Sequence, residues 1–125
     1  MNNYLKGMFM TFTGVSTEER KEKLNKELER IIPIIISMGV EKIILIGSMA
    51  TGQTNPLSDI DIIIIKKTDK RFIDRLDDFY KTIMPKVSVD ILVYNPSEFK
   101  KMSKNNLFIQ YALEKGHILY EATKS

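Results

Sequence analysis

Three aspartates and one Gly-Ser pair are the residues of this chain whose types and spacing could do chemistry. Gly47-Ser48 is followed, after ten intervening residues, by Asp59-Ile60-Asp61, and a later acid, Asp90, interrupts the apolar run from Val87 to Val93. In an extended strand alternate side chains share a face, so Asp59 and Asp61 point the same way. Two ionised carboxylates at the start of an isoleucine-rich strand repel each other. Keeping both charged beside apolar surface is costly unless a cation sits between them. Asp90 also needs a partner if its strand is buried. Should the two strands adjoin, three carboxylates converge, and such hard oxygen donors suit Mg²⁺, with Mn²⁺ as an alternative.

The Gly47-Ser48 turn supplies the complementary half. Gly47 has no side chain to obstruct a phosphate. The Ser48 hydroxyl can hydrogen-bond a phosphate oxygen, and a helix start places backbone N–H groups and a positive dipole end beside it. Ser58, just before the acids, is expected to fix the loop or a metal-bound water. A phosphate cradle next to three acids describes nucleotidyl transfer, with two metals clamping the attacking and leaving oxygens of an in-line displacement. Taken alone, Gly47 and Gly52 are ordinary turn glycines and Ser48 a helix cap; their spacing from the acids is what makes them informative.

These residues need elements to position them. Ser16 and Glu19 fit a capping box. Leu24, Leu28, Ile31, Ile32 and Ile35 then recur at helical spacing, predicting a helix over 17–38. Pro33 is expected to kink or break it near its end, and Lys21, Lys23, Glu27 and Glu29 to lie on wetter faces. Lys42–Ile46 reads as a buried strand and Asp59–Ile65 as a second. Lys70–Ile83 reads as a helix stopped by Pro85, and Val87–Tyr94 as a third strand. Asn95-Pro96-Ser97-Glu98 is another helix start. It opens a helix over 96–102, followed by a second over 105–115 ended by Gly116 and a last short strand over 117–120. This order predicts an α/β (α+β) architecture, a small mixed β-sheet flanked by helices. Residues 1–15 read as an arm and 16–125 as a single domain.

The 125-residue length fits one domain. The absence of cysteine excludes disulfides, thiolate metal sites and cysteine catalysis. A single histidine, His117, argues against a serine-type triad or a multi-histidine zinc site, and it is left out of the candidate site. A formal charge of +3 is compatible with anionic ligands. Lys66, Lys67, Lys70 and Arg71 form a basic cluster that reads as a solvated helix start, or alternatively faces a triphosphate; Arg75 is a weaker candidate of that sort. No aromatic residues interleave these charges, so nucleic-acid binding is not expected. No apolar run is long enough to span a bilayer, which makes the cytoplasm the default location. Phe99, Phe108 and Tyr111 are expected to pack on the sheet or on a partner.

Gly47-Ser48, Asp59-x-Asp61 and Asp90 together resemble the DNA polymerase β-type nucleotidyltransferase superfamily, and the short chain resembles its minimal nucleotidyltransferase branch. The resemblance covers roughly residues 17–121, with the Gly47–Ile65 block its specific part. It implies the nucleotidyltransferase fold, two Mg²⁺ ions, and ATP or another nucleoside triphosphate as donor. By that resemblance Gly47 and Ser48 hold the triphosphate, Asp59 and Asp61 ligate both metals, and Asp90 binds the catalytic metal and helps activate the incoming hydroxyl. Thr51 stands where many members carry a basic residue.

Relatives of this size often pair with a helical HEPN-type protein as a toxin–antitoxin system, and some transfer AMP to a hydroxyl of that partner. Little chain follows Asp90, so the acceptor is expected from a partner or a second copy. The leading expectation is therefore AMP transfer to a HEPN-type partner protein, an antitoxin role. The alternatives are a small-molecule acceptor such as an aminoglycoside, and a nucleotide-binding module that neutralises its partner by contact alone. Template-directed polymerisation ranks below these, because there is no second domain to grip a template.

Overall fold

The computed structural model describes residues 16–123. The expected arm, 1–15, lies outside the described residues. Among the described residues the elements are, in order, α1 (Thr17–Ser37), β1 (Lys42–Ile46), α2 (Ser48–Thr51), β2 (Ile60–Ile65), α3 (Phe72–Ile83), β3 (Val89–Tyr94), α4 (Pro96–Asn105), α5 (Leu107–Lys115) and β4 (His117–Glu121). The strands form one mixed sheet in the order β3-β2-β1-β4. β1 pairs antiparallel with both β2 and β4, whereas β2 and β3 are parallel, joined through α3. None of the described helices is long and apolar enough to cross a membrane.

The period-2 pattern of β2 divides the core. Ile60, Ile62 and Ile64 pack with Leu24, Ile31 and Ile35 of α1 and with Phe79 and Ile83 of α3. Ile63 and Ile65 turn to the other face, against Ile109 and Ala112 of α5. Buried on both sides, β2 is the centre of the molecule. The face that carries Ile63 also carries Asp61, two residues earlier. The acids therefore open onto the α4–α5 side of the sheet.

Three sequence expectations change. α1 runs unbroken through Pro33 to Ser37. Pro33 is exposed, so the carbonyl it leaves without a helical donor lies on the wet face, where water can satisfy it. Glu27 is buried rather than solvated. Its carboxylate accepts from Arg30 Nε at 2.6 Å and Nη2 at 2.9 Å, and from the backbone N–H of Lys86. Arg30 also donates to the carbonyls of Ile83 and Met84. This pair bolts α1 to the end of α3, and those donors hold the Glu27 carboxyl down at about 2. Arg75 is buried too, donating to the Val93 carbonyl at 3.2 Å and to Glu98 Oε1 at 2.7 Å. It ties α3 to β3 and α4.

Candidate active site

β1 ends at Ile46, and the chain turns through Gly47 into α2 at the edge of the acidic face. Gly47 has φ +72°, a left-handed conformation that strains any other L-residue. Space imposes the same choice: a Cβ on Gly47 would lie 2.5 Å from Asp61 Oδ2. The turn is thus packed directly on the carboxylate of β2, as the Ile46–Asp61 register of the antiparallel pair requires.

Behind the turn, Ser48 Oγ donates to Ser58 Oγ at 2.9 Å, and Ser58 Oγ accepts from the Asn55 backbone N–H at 2.8 Å. Ser58 is buried and closes the 48–58 loop by holding both its ends. His117 Nε2 lies 2.7 Å from the Ala50 carbonyl, tying β4 to the end of α2. These contacts position the turn from behind.

Asp61 and Asp90 are register partners in the parallel β2–β3 pair. Burial first, then the neighbouring Asp90 and Asp59 carboxylates, push the Asp61 carboxyl up to about 6. Protonation of Asp61 relieves that repulsion, and a bound cation would relieve it in the same way. Asp59 stands apart from them. Its Oδ1 accepts from Arg20 Nη2 at 3.3 Å, while Arg20 Nε donates to the Ser58 carbonyl at 2.8 Å. Among the described residues no group of three or more His, Cys, Asp or Glu side chains is arranged to hold a metal ion as it stands. The expected three-acid cluster is therefore a pair plus a third carboxylate engaged by an arginine from α1. The donor set nevertheless fits a hard divalent cation: two adjoining carboxylates, one of them half-buried with a raised proton affinity, and a third two residues before it in the chain.

A cavity of about 590 Å³ opens over these residues. Gly47, Ser48, Thr51, Asp61 and Asp90 are among its polar lining residues, Leu92, Phe108, Tyr111 and Ala112 among its apolar ones, and Lys115 lines it too. Of the residues expected at the site, Gly47, Ser48, Asp61 and Asp90 meet here. Asp59 and Ser58 do not line the cavity; one is turned to Arg20, the other lies behind Ser48. Phe99 packs into the second core, whereas Phe108 and Tyr111 are exposed along the cavity. Lys66, Lys70 and Arg75 border a separate small cavity. Lys66 lies past the far end of β2, about 16 Å along the strand from Asp61 at roughly 3.3 Å per residue. Lys70 and Arg71 pair with Asp78 and Asp74. Sequence reasoning missed Arg20 and Lys115. Each reads locally as an ordinary charge near a helix end, with no signal pointing to the acids.

The sequence profile described as Polymerase beta, Nucleotidyltransferase matches residues 29–125. A curated protein of Methanocaldococcus jannaschii, named a "putative protein adenylyltransferase", is 34% identical over 74 residues, which is 58% of this chain and 78% of that one. The fold is similar to a crystal structure from Sulfolobus solfataricus described as a "putative nucleotidyltransferase". The TM-score is 0.64 at 20% identity, covering 89% of this chain and 92% of the other.

Proposed function

Because this chain belongs to the polymerase β nucleotidyltransferase family, we propose that it moves a nucleoside monophosphate, AMP from ATP first, onto a hydroxyl of a partner protein. The observation that carries this reading is the single cavity in which Gly47-Ser48 adjoins the Asp61–Asp90 pair opposite an aromatic wall. The polar side suits phosphates and the apolar side suits a nucleobase. A protein acceptor is supported by the name of the Methanocaldococcus relative, a protein adenylyltransferase. A HEPN-type partner and an antitoxin role extend the same reading, through the resemblance to the minimal branch.

In the transfer, the acceptor oxygen bonds to the α-phosphorus. The bond from that phosphorus to the α,β-bridging oxygen breaks, and pyrophosphate leaves with its electron pair. Gly47 and Ser48 hold the phosphates through backbone N–H groups, and the Ser48 hydroxyl joins them by turning its proton away from Ser58 Oγ. Asp90, exposed at the cavity, takes the proton of the attacking hydroxyl. Asp61 and Asp90 would hold a divalent cation, joined by Asp59 once it leaves Arg20. Mg²⁺ there would neutralise charge on the α-phosphate and on the leaving oxygen.

The test is label transfer. Protein, Mg²⁺ and α-labelled ATP are incubated in lysate of the source cells, with Asp61→Asn as control, and the other triphosphates are tried in parallel. A labelled protein band absent from the control is expected. Label in a small molecule alone would move the acceptor to that class. No label in any fraction, while the Asp61→Asn variant still neutralises its co-purified partner, would overturn transfer in favour of inhibition by contact.

A further inference from the structure

A triphosphate brings about four negative charges into a site whose own side chains are acidic. From Gly47 to Ile65 the chain carries no Lys, Arg or His. Arg20 is spent on Asp59 and Ser58. The cluster after β2 lies at the opposite end of the strand. Among the residues lining the cavity, Lys115 is the one basic side chain. It makes no ion pair among the described residues.

Tertiary contacts deliver Lys115 to that place. The next residue, Gly116, is pressed so closely on β1 that a Cβ there would lie 2.9 Å from the Leu45 carbonyl oxygen. Leu45 is two residues before Gly47. His117 is the register partner of Leu45, and its ring reaches the Ala50 carbonyl at the end of α2. Gly116 and His117, which follow α5 directly, thus hold the end of that helix against β1 just before Gly47 and against the end of α2. A lysine at a helix C-terminus also complements the helix dipole. That local role needs no docking of this kind and would be met equally on a solvated face.

We propose that Lys115, from the last turn of α5, is the cation that binds the polyphosphate of the nucleotide opposite Ser48, and so sets the preference for triphosphate over monophosphate. This rests on the nucleotide reading above. Its side chain is a flexible point charge with three donors. It can follow the β- and γ-phosphates without fixed geometry, and it leaves the α-phosphate to Ser48 and to the cation that the acids would hold.

Binding by the intact chain, in the presence of Mg²⁺, tests this without turnover. The probes are AMP and an ATP analogue with a methylene α,β-bridge. The wild-type protein should hold the triphosphate analogue more tightly than AMP. Lys115→Met should weaken the analogue by on the order of tenfold, the loss of one charge-assisted contact, and leave AMP unchanged. Lys115→Arg should restore most of the difference. Thermal melting reads folding separately; Lys115 is exposed, so the melting temperature should stay within a degree or two. Unchanged discrimination in Lys115→Met would overturn the proposal and leave Lys115 as a helix-end charge. Equal losses for both probes would also overturn it. A wild-type chain that binds neither probe would overturn the nucleotide reading itself and this assignment with it, and is told apart by the wild-type arm alone.

Discussion

Asp61 and Asp90 stand side by side, as register partners on adjacent parallel strands. Such strands are about 4.8 Å apart and partnered residues project to one face. Two acids so placed can be relieved by a proton or by a cation.

The proton gives the first prediction. The Asp61 carboxyl is pushed from 3.8 to about 6, by burial first and by the Asp90 and Asp59 carboxylates next. Its folded form therefore binds the proton more tightly than the unfolded chain. That contribution is fully present below about pH 4 and is lost as pH rises through about 6. In chelator, the wild-type protein should lose about 1 to 2 kcal/mol relative to Asp61→Asn between pH 4 and 7, allowing for solvent screening. Above pH 6 Asp61→Ala should melt higher than wild type, because it removes the repelling charge. Urea unfolding across that range checks both; parallel stability curves for wild type and Asp61→Asn would refute the crowded pair.

Arg20 supplies the second. Its guanidinium occupies Asp59 Oδ1 at 3.3 Å, so a divalent cation that uses Asp59 must displace it. Arg20→Met should tighten Mn²⁺ binding several-fold, followed by the paramagnetic signal of free Mn²⁺, while Asp90→Asn should weaken it. Weaker Mn²⁺ binding in Arg20→Met would mean that the arginine orders Asp59 for the metal.

At Gly47, two constraints fall on one atom. A methyl group would meet Asp61 Oδ2, on a backbone already at φ +72°. Gly47→Ala should cost about 1 to 3 kcal/mol and abolish nucleotide binding together with Mn²⁺ binding, since it moves the turn and the acid at once. Retention of either at wild-type strength would show that the turn relaxes away from Asp61.

Glu27 gives a prediction far from the cavity. Donors from Arg30 and Lys86 hold its carboxyl at about 2, below its ordinary 4.5. Its stabilising contribution is present above about pH 4.5 and lost as pH falls towards 2. Glu27→Ala leaves Arg30 and the Lys86 N–H facing a hole and should cost about 2 to 4 kcal/mol at pH 7. Chemical unfolding reads the loss, and the variant's stability should fall less steeply than wild type's below pH 4.5. Equal acid slopes would remove Glu27 from the acid-sensitive set.

What the sequence by itself determined is the part written at short range. The alternation of β2 put Asp61 on the face of Ile63 and opposite Ile62. The Gly47-Ser48 turn precedes that strand by a fixed stretch of chain, and Asp90 announced itself as an acid in an apolar run. The caps at Ser16 and Asn95 likewise depend on residues three apart. Element boundaries near β3 and α3 shifted by about two residues, since strand ends depend on where the neighbouring strand stops. Only the tertiary structure decided what meets across long separations: Arg20 with Asp59, Lys115 with the Gly47 turn, His117 with Ala50, Glu27 with the start of the loop before β3. It also turned Arg75 inward to Glu98, against its reading as a solvated or phosphate-facing charge. Periodicity reports which face a residue takes on its own element. Which element docks on that face, and which charge it brings, is set by packing between segments distant in the chain, and the local pattern holds no record of it.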